Sequence, residues 1–310
     1  MNARANLVPR FLALSMPMDQ YVGDPAPEHF DARASLNASI AKTLLSESPL
    51  HAWTAHPRLN PDHETSDPTK FDIGRVAHRM VIEGNEDGIA IIRANDWRTK
   101  DAQAERAEAI AAGRIPVLRD AYLEVRQMVL AARQYIAATD ELRNLMREGV
   151  AEEVWMWEEA PGVVCRCRPD WWSEAHSTVI DYKTTAASAH PAKWSQSTMQ
   201  QIGADVQGAM YRRALRAKGV RLGAQIFLVQ ETSPPYACSA VSLTETAFAI
   251  ADDKLQTALD LWTKCLGSNQ WPGYPQRIAW ADPPPWAAAQ WEEAKHVGLD
   301  FYDKLFGRTA

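Results

Sequence analysis

The sequence predicts an α/β protein with a central mixed sheet flanked by helices and an added helical region before it. Three observations predict it. Between Glu153 and Lys183, short runs rich in Val, Ile, Trp and Cys are separated by turn residues, the pattern of strands. From Lys100 to Arg147 apolar residues instead recur at helical spacing, with Leu118, Tyr122, Val125, Val129, Ala132 and Ile136 on one stripe. A helical segment over residues 200–215 then separates those strands from further strand-like runs near Gln225–Gln230 and Cys238–Leu243, so a helix crosses between strands of one sheet.

In chain order, residues 1–35 are rich in Pro, Asp and Ala without periodicity and are expected to form a loose arm. Asn37 or Ser35 is placed to cap a helix running to about Glu47. A polar loop over Pro57–Pro68 follows, then a helix containing His78, then a loop through Asn85-Glu86-Asp87-Gly88. The chain returns to helix from Thr244 and ends in a Trp- and Pro-rich tail. One domain over residues 36–290 is the economical reading, with a helical part to about 150, an α/β core over 151–243 and a helical part over 244–290; residues 291–310 form a terminal helix or tail.

With 310 residues and 46% hydrophobic content the chain can bury a core. No apolar run is long enough to span a bilayer, and Phe11–Ser15 is too short and too soon broken by Pro17 for a signal peptide, so the expected compartment is the cytoplasm. Four cysteines lack paired Cys-x-x-Cys spacing, which indicates neither a disulfide framework nor a structural zinc site; Cys165 and Cys167 alternate on a strand as buried thiols. The net charge of −6 argues against a protein that coats nucleic acid nonspecifically. It leaves an enzyme open, because a metal at catalytic carboxylates reverses the local field. Arg212, Arg213, Arg216, Lys218 and Arg221 form a basic patch that is either a nucleic-acid contact or a solvated helix face.

The chemistry concentrates in Arg168-Pro169-Asp170 and Val179-Ile180-Asp181-Tyr182-Lys183-Thr184. In a strand Asp181 and Lys183 share one face and Ile180 and Tyr182 the other. A hairpin-like turn through Ser173–His176 returns Asp170 beside Asp181. Two carboxylates and an ammonium then converge, a set that holds Mg²⁺ and orients or helps deprotonate an attacking water. Pro61-Asp62 with Phe71-Asp72-Ile73-Gly74 repeats half of the pattern but lacks the lysine. Gln207 and Tyr211 lie one turn apart on the following helix.

Pro169-Asp170, Asp181 and Lys183 resemble the signature of the PD-(D/E)xK nuclease superfamily, with its restriction-endonuclease-like core. The Gly74 to His78 and Gln207 to Tyr211 spacings resemble its RecB-like branch, and Gly74 is expected to let its helix approach closely. Leu36–Trp53 with Ser39 and Lys42, Glu153–Trp157, Gly162–Asp170, Val229-Gln230-Glu231 and Trp271-Pro272-Gly273-Tyr274 resemble phage or prophage RecE-type exonucleases, the exonuclease VIII family, over roughly residues 20 to 290. Ala204 and Tyr182 depart from the usual aromatic and aliphatic residues at their positions, which bears on substrate fit. The resemblance implies metal ligation by His78, Asp170, Asp181 and the Tyr182 carbonyl. It implies catalysis by Asp170, Asp181 and Lys183, with Gln207 and Tyr211 fixing the scissile strand. It further implies Mg²⁺ (or Mn²⁺), 5′-to-3′ degradation of linear double-stranded DNA ends, 3′ overhangs for a single-strand annealing protein, and a homo-oligomeric ring. No four-cysteine iron–sulfur cluster and no ATP-binding Gly-rich loop are expected. Glu153 and Glu231 are assigned structural roles; Trp155, Trp157 and Trp262 are assigned to the core, and Trp171 and Trp172 to DNA contact. The alternatives are a non-catalytic DNA-binding protein on this fold, a nuclease of other polarity, and an endonuclease.

Overall fold

The computed structural model describes residues 11–25, 30, 34–63 and 72–306. Part of the predicted Pro57–Pro68 loop and Phe71 therefore lie outside the described residues. The strands, in chain order, are β1 (Phe11–Leu14), β2 (Ile89–Ile92), β3 (Ile115–Leu118), β4 (Val150–Ala151), β5 (Val154–Ala160), β6 (Val163–Cys167), β7 (Trp171–Ser173), β8 (Thr178–Thr185), β9 (Ala224–Glu231) and β10 (Cys238–Ser242). A mixed sheet in the order β10-β9-β8-β7-β4 forms the centre, with β8 and β9 parallel and the other pairs antiparallel. Parallel neighbours cannot be joined by a tight turn, and here the helix Ala204–Lys218 makes the crossover.

The single sheet expected from sequence divides in two. Strands β5 and β6 pair with β1 in a separate antiparallel sheet. The break falls at Arg168–Asp170, between β6 and β7. Pro169 has no N–H to give a ladder, so the chain leaves one sheet there and enters the other. The helical region also carries strands that the pattern missed. Strands β2 and β3 pair in parallel around the helix Lys100–Ala111, and β3 absorbs Leu118, which was expected on the helical stripe. Ile115-Pro116-Val117 is β-branched around a proline and cannot extend a helix. The helix Arg119–Ala138 buries Tyr122, Val125, Val129 and Ala132 as predicted.

Alternation along β8 decides which layer each side chain enters. Ile180 and Tyr182 pack with Val76, Met80, Val125 and Met128 of the helical region. Val179 belongs to the opposite core, with Met210, Tyr211 and Leu215 of the Ala204–Lys218 helix and Trp155 and Trp157 of β5. Asp181 and Lys183, in phase with Val179, therefore face that helix. The helix Glu245–Ser268 adds Leu255, Leu259 and Trp262 to the same core.

The arm expected to be loose is built into the molecule over its described part. Strand β1 pairs with β5, Phe11 opposite Trp157. The Asp24 carboxylate is buried, accepting from Arg166 Nη1 at 2.6 Å and from the Ser35 N–H at 2.9 Å, with His56 Nε2 at 3.4 Å. Residues up to Gly273 form one compact unit and those from Tyr274 a second, which contains the helix Ala287–Phe306. Among the described residues no helix is long and apolar enough to cross a membrane.

Candidate active site

Strand β8 supplies the floor. Asp181 is fully buried, and its Oδ2 accepts hydrogen bonds from Gln207 Nε2 at 2.8 Å and from the Tyr211 hydroxyl at 2.7 Å. The Lys183 ammonium is ion-paired with Oδ1. The β7–β8 hairpin sets Trp171 opposite Ile180, so Asp170, just before β7, comes back over the strand. There its Oδ2 accepts the Tyr182 N–H at 2.7 Å.

His78 ends the helix Asp72–His78, and a wider π turn continues over Arg79–Glu83. Its Nε2 lies 3.2 Å from Asp170 Oδ2 and 3.3 Å from Glu152 Oε1. Gly74 lets this helix close on β8, since a Cβ there would lie 2.9 Å from Thr184 Oγ1. Sequence reasoning missed Glu152. Its neighbour Glu153, assigned a structural role, accepts from Trp155 Nε1 at 2.6 Å. Glu152 sits between β4 and β5 with φ of 59°, a left-handed conformation uncommon for a non-glycine residue. The only sequence signal was a pair of acids ahead of a strand, and alternation alone could not say which turns inward.

The charges are strongly coupled. Burial opposes the charge on His78, but the Asp170, Glu152 and Asp181 carboxylates outweigh it and carry the pKa up to about 9. Burial and then the Asp170 charge push Glu152 up to about 7. Burial also works to raise Asp170, yet His78, Lys183 and the Tyr182 N–H hold it below the ordinary carboxylate range. Burial and Asp170 raise Asp181. Burial disfavours the Lys183 ammonium, and Asp181 and Asp170 more than restore it.

His78, Glu152 and Asp170 each offer one ligand atom, and these atoms lie within 4.8 Å of one another. Glu152 Oε1 is buried without a hydrogen bond. One imidazole nitrogen and two carboxylate oxygens, crowded enough to drive a carboxylate toward protonation, fit a divalent cation. Asp181 is not part of this trio, and both its oxygens are held by protein groups. Tyr182 sends its side chain away to Gln230 and faces Asp170 through its backbone N–H. Tyr211, expected on the scissile strand, is fully buried and braces Asp181 instead. Gln207 and Lys183 line an open cleft of about 570 Å³, whose other wall includes Ser39 and Lys42.

Residues 39–282 match the family described as a PDDEXK-like domain of unknown function (DUF3799). The chain belongs to this PDDEXK-like family. Its fold is shared with the crystal structure of a "Putative exonuclease" from Eubacterium rectale, at 12% identity and a TM-score of 0.58, over 89% of this chain and 98% of that one. A phage related exonuclease from Haemophilus somnus 129PT aligns at 11% identity and a TM-score of 0.30, over 76% of this chain and 96% of that one. No curated protein matches the sequence.

One expectation for this PDDEXK-like domain is corrected by its packing. Trp172 is buried edge-on against Trp155, and Trp171 is half-buried with its Nε1 donating to the Leu145 carbonyl at 3.0 Å, so both belong to the interior. The short β7 lies between β4 and β8, which leaves it no open edge. Most of the basic patch is paired with acidic side chains of the same chain, which leaves a solvated helix face among the readings. Arg212 pairs with Asp252, Arg213 and Arg216 with Glu159, and Lys218 with Glu174. Pro61-Asp62 lies in a turn where the Asp62 N–H donates to Asn60 Oδ1 at 3.0 Å, and takes no part in the site. Glu231 accepts the Ala189 N–H at 2.8 Å.

Proposed function

We propose that this chain is a divalent-metal-dependent deoxyribonuclease. The observation that carries this reading is the His78, Glu152 and Asp170 trio beside the Asp181–Lys183 pair of β8. His78, Glu152 and Asp170 would hold the cation, Mg²⁺ with Mn²⁺ as a substitute, and Asp181 would support it from the adjacent strand. The cation would supply Lewis-acid stabilisation of the charge that develops on the phosphate. Lys183, its ammonium ion-paired with Asp181, would aim an N–H at the incoming water and phosphate. Asp181 holds that ammonium in place and is itself fixed by Gln207 and Tyr211. Gln207, at the cleft wall, would be the member of this pair that meets the scissile strand.

The RecE-type resemblance supports the finer reading. The substrate is a linear double-stranded DNA end, degraded 5′ to 3′ by a cytoplasmic homo-oligomeric ring that hands a 3′ overhang to a single-strand annealing protein. Linear duplex labelled at either end, set beside a covalently closed circle, tests it. Loss of the 5′ label first, with intact circles, is the expected outcome. Nicked circles would replace it with an endonuclease, and early loss of the 3′ label would reverse the polarity.

A further inference from the structure

We infer that Arg168 is a positioning residue that sets Glu152 as a metal ligand. The inference rests on the metal reading above. Arg168 Nε lies 2.8 Å from Glu152 Oε2 and donates to the Glu152 carbonyl at 3.2 Å, so one group grips both the side chain and the backbone of the same residue. The Glu152 N–H donates to the Asp170 carbonyl at 3.1 Å. Glu152 is thus held from three sides by the Arg168–Asp170 turn, in a left-handed conformation that isolated chains avoid. With Oε2 taken by the guanidinium, Oε1 is the oxygen left facing His78 at 3.3 Å, buried and without a hydrogen bond.

The Arg168 side chain is 13% exposed and its Nε is engaged by Glu152, so its reach into the site is through that carboxylate. Its own carbonyl accepts the Tyr211 hydroxyl at 3.3 Å, which joins it to the group bracing Asp181. A guanidinium suits this task because it is always charged and presents donors in a rigid plane. Outer partners of this kind orient a ligand before the ion arrives, and their loss typically weakens metal affinity about 10- to 100-fold.

The test is a double-mutant cycle on the full chain, read by Mn²⁺ affinity from calorimetry or electron paramagnetic resonance, with thermal unfolding recorded in parallel. Arg168→Ala is expected to weaken Mn²⁺ binding about 10- to 100-fold. Arg168→Lys should recover part of the loss, and Arg168→Gln preserves volume should the alanine variant fold poorly. In a Glu152→Gln background, Arg168→Ala should change the affinity by no more than about twofold, the usual error of such a cycle. Equal Mn²⁺ affinity of Arg168→Ala and the unsubstituted chain would overturn the inference alone, as would a full loss in the Glu152→Gln background. No saturable Mn²⁺ binding by the unsubstituted chain would overturn the metal reading itself, and this inference with it.

Discussion

At the scale of residues, the raised pKa values of His78 and Glu152 fix the sign of a pH dependence. His78 is carried from the ordinary 6.5 to about 9, so its stabilising contribution is complete below pH 6.5 and lost as pH rises through 9. Glu152, raised from 4.5 to about 7, contributes below 4.5 and loses that contribution as pH rises through 7. Metal-free protein should therefore lose stability from mildly acidic to alkaline pH. A cation requires the deprotonated ligands, so the gain in Tm from Mg²⁺ should grow over the same range. Melts in EDTA and in Mg²⁺ at about pH 6 and about pH 9 check this, and a metal-induced shift that shrinks with pH would contradict it. Asp170, Asp181 and Lys183 were legible because two-residue alternation and a short hairpin dictate their convergence. Glu152 was not, since a single backbone rotation chooses between it and Glu153.

At the scale of elements, the His78 helix and β8 are in contact through a missing side chain. Alanine in place of glycine normally stabilises a helix by up to about 1 kcal/mol. At Gly74 the sign should reverse, because a Cβ would sit 2.9 Å from Thr184 Oγ1. Gly74→Ala is expected to cost about 1–3 kcal/mol by overpacking and to weaken metal affinity by moving His78 off Asp170. Thr184→Ala in the same chain should restore much of both, by urea unfolding and Mg²⁺ titration. A stabilised Gly74→Ala variant would refute the close contact. The helices Arg119–Ala138 and Ala204–Lys218 were legible from period and spacing. Strands β2 and β3 were not, because a four-residue apolar run fits a buried helix segment as well as a strand. The division into two sheets turns on Pro169, whose effect on the ladder is visible only once its neighbours are paired.

At the scale of the whole molecule, a buried ion pair joins the N-terminal segment to β6 across a long stretch of sequence. Asp24 and Arg166 are both almost wholly buried and bonded at 2.6 Å. Asp24→Ala leaves the guanidinium uncompensated and should cost about 3–5 kcal/mol in denaturant unfolding. A change below about 1 kcal/mol, the range of exposed pairs, would show the pair to be solvated. A Pro- and Asp-rich stretch reads as loose because the contacts that hold it, β1 with β5 and Asp24 with Arg166, are non-local. The central claim concerns β8 and its neighbours, which gather the acids. It is tested most directly by Mg²⁺-dependent release of nucleotides from linear duplex DNA by the unsubstituted chain and by Asp181→Ala. Release that is abolished by EDTA and lost in the variant is the predicted result; undiminished Mg²⁺-dependent release by Asp181→Ala would contradict it.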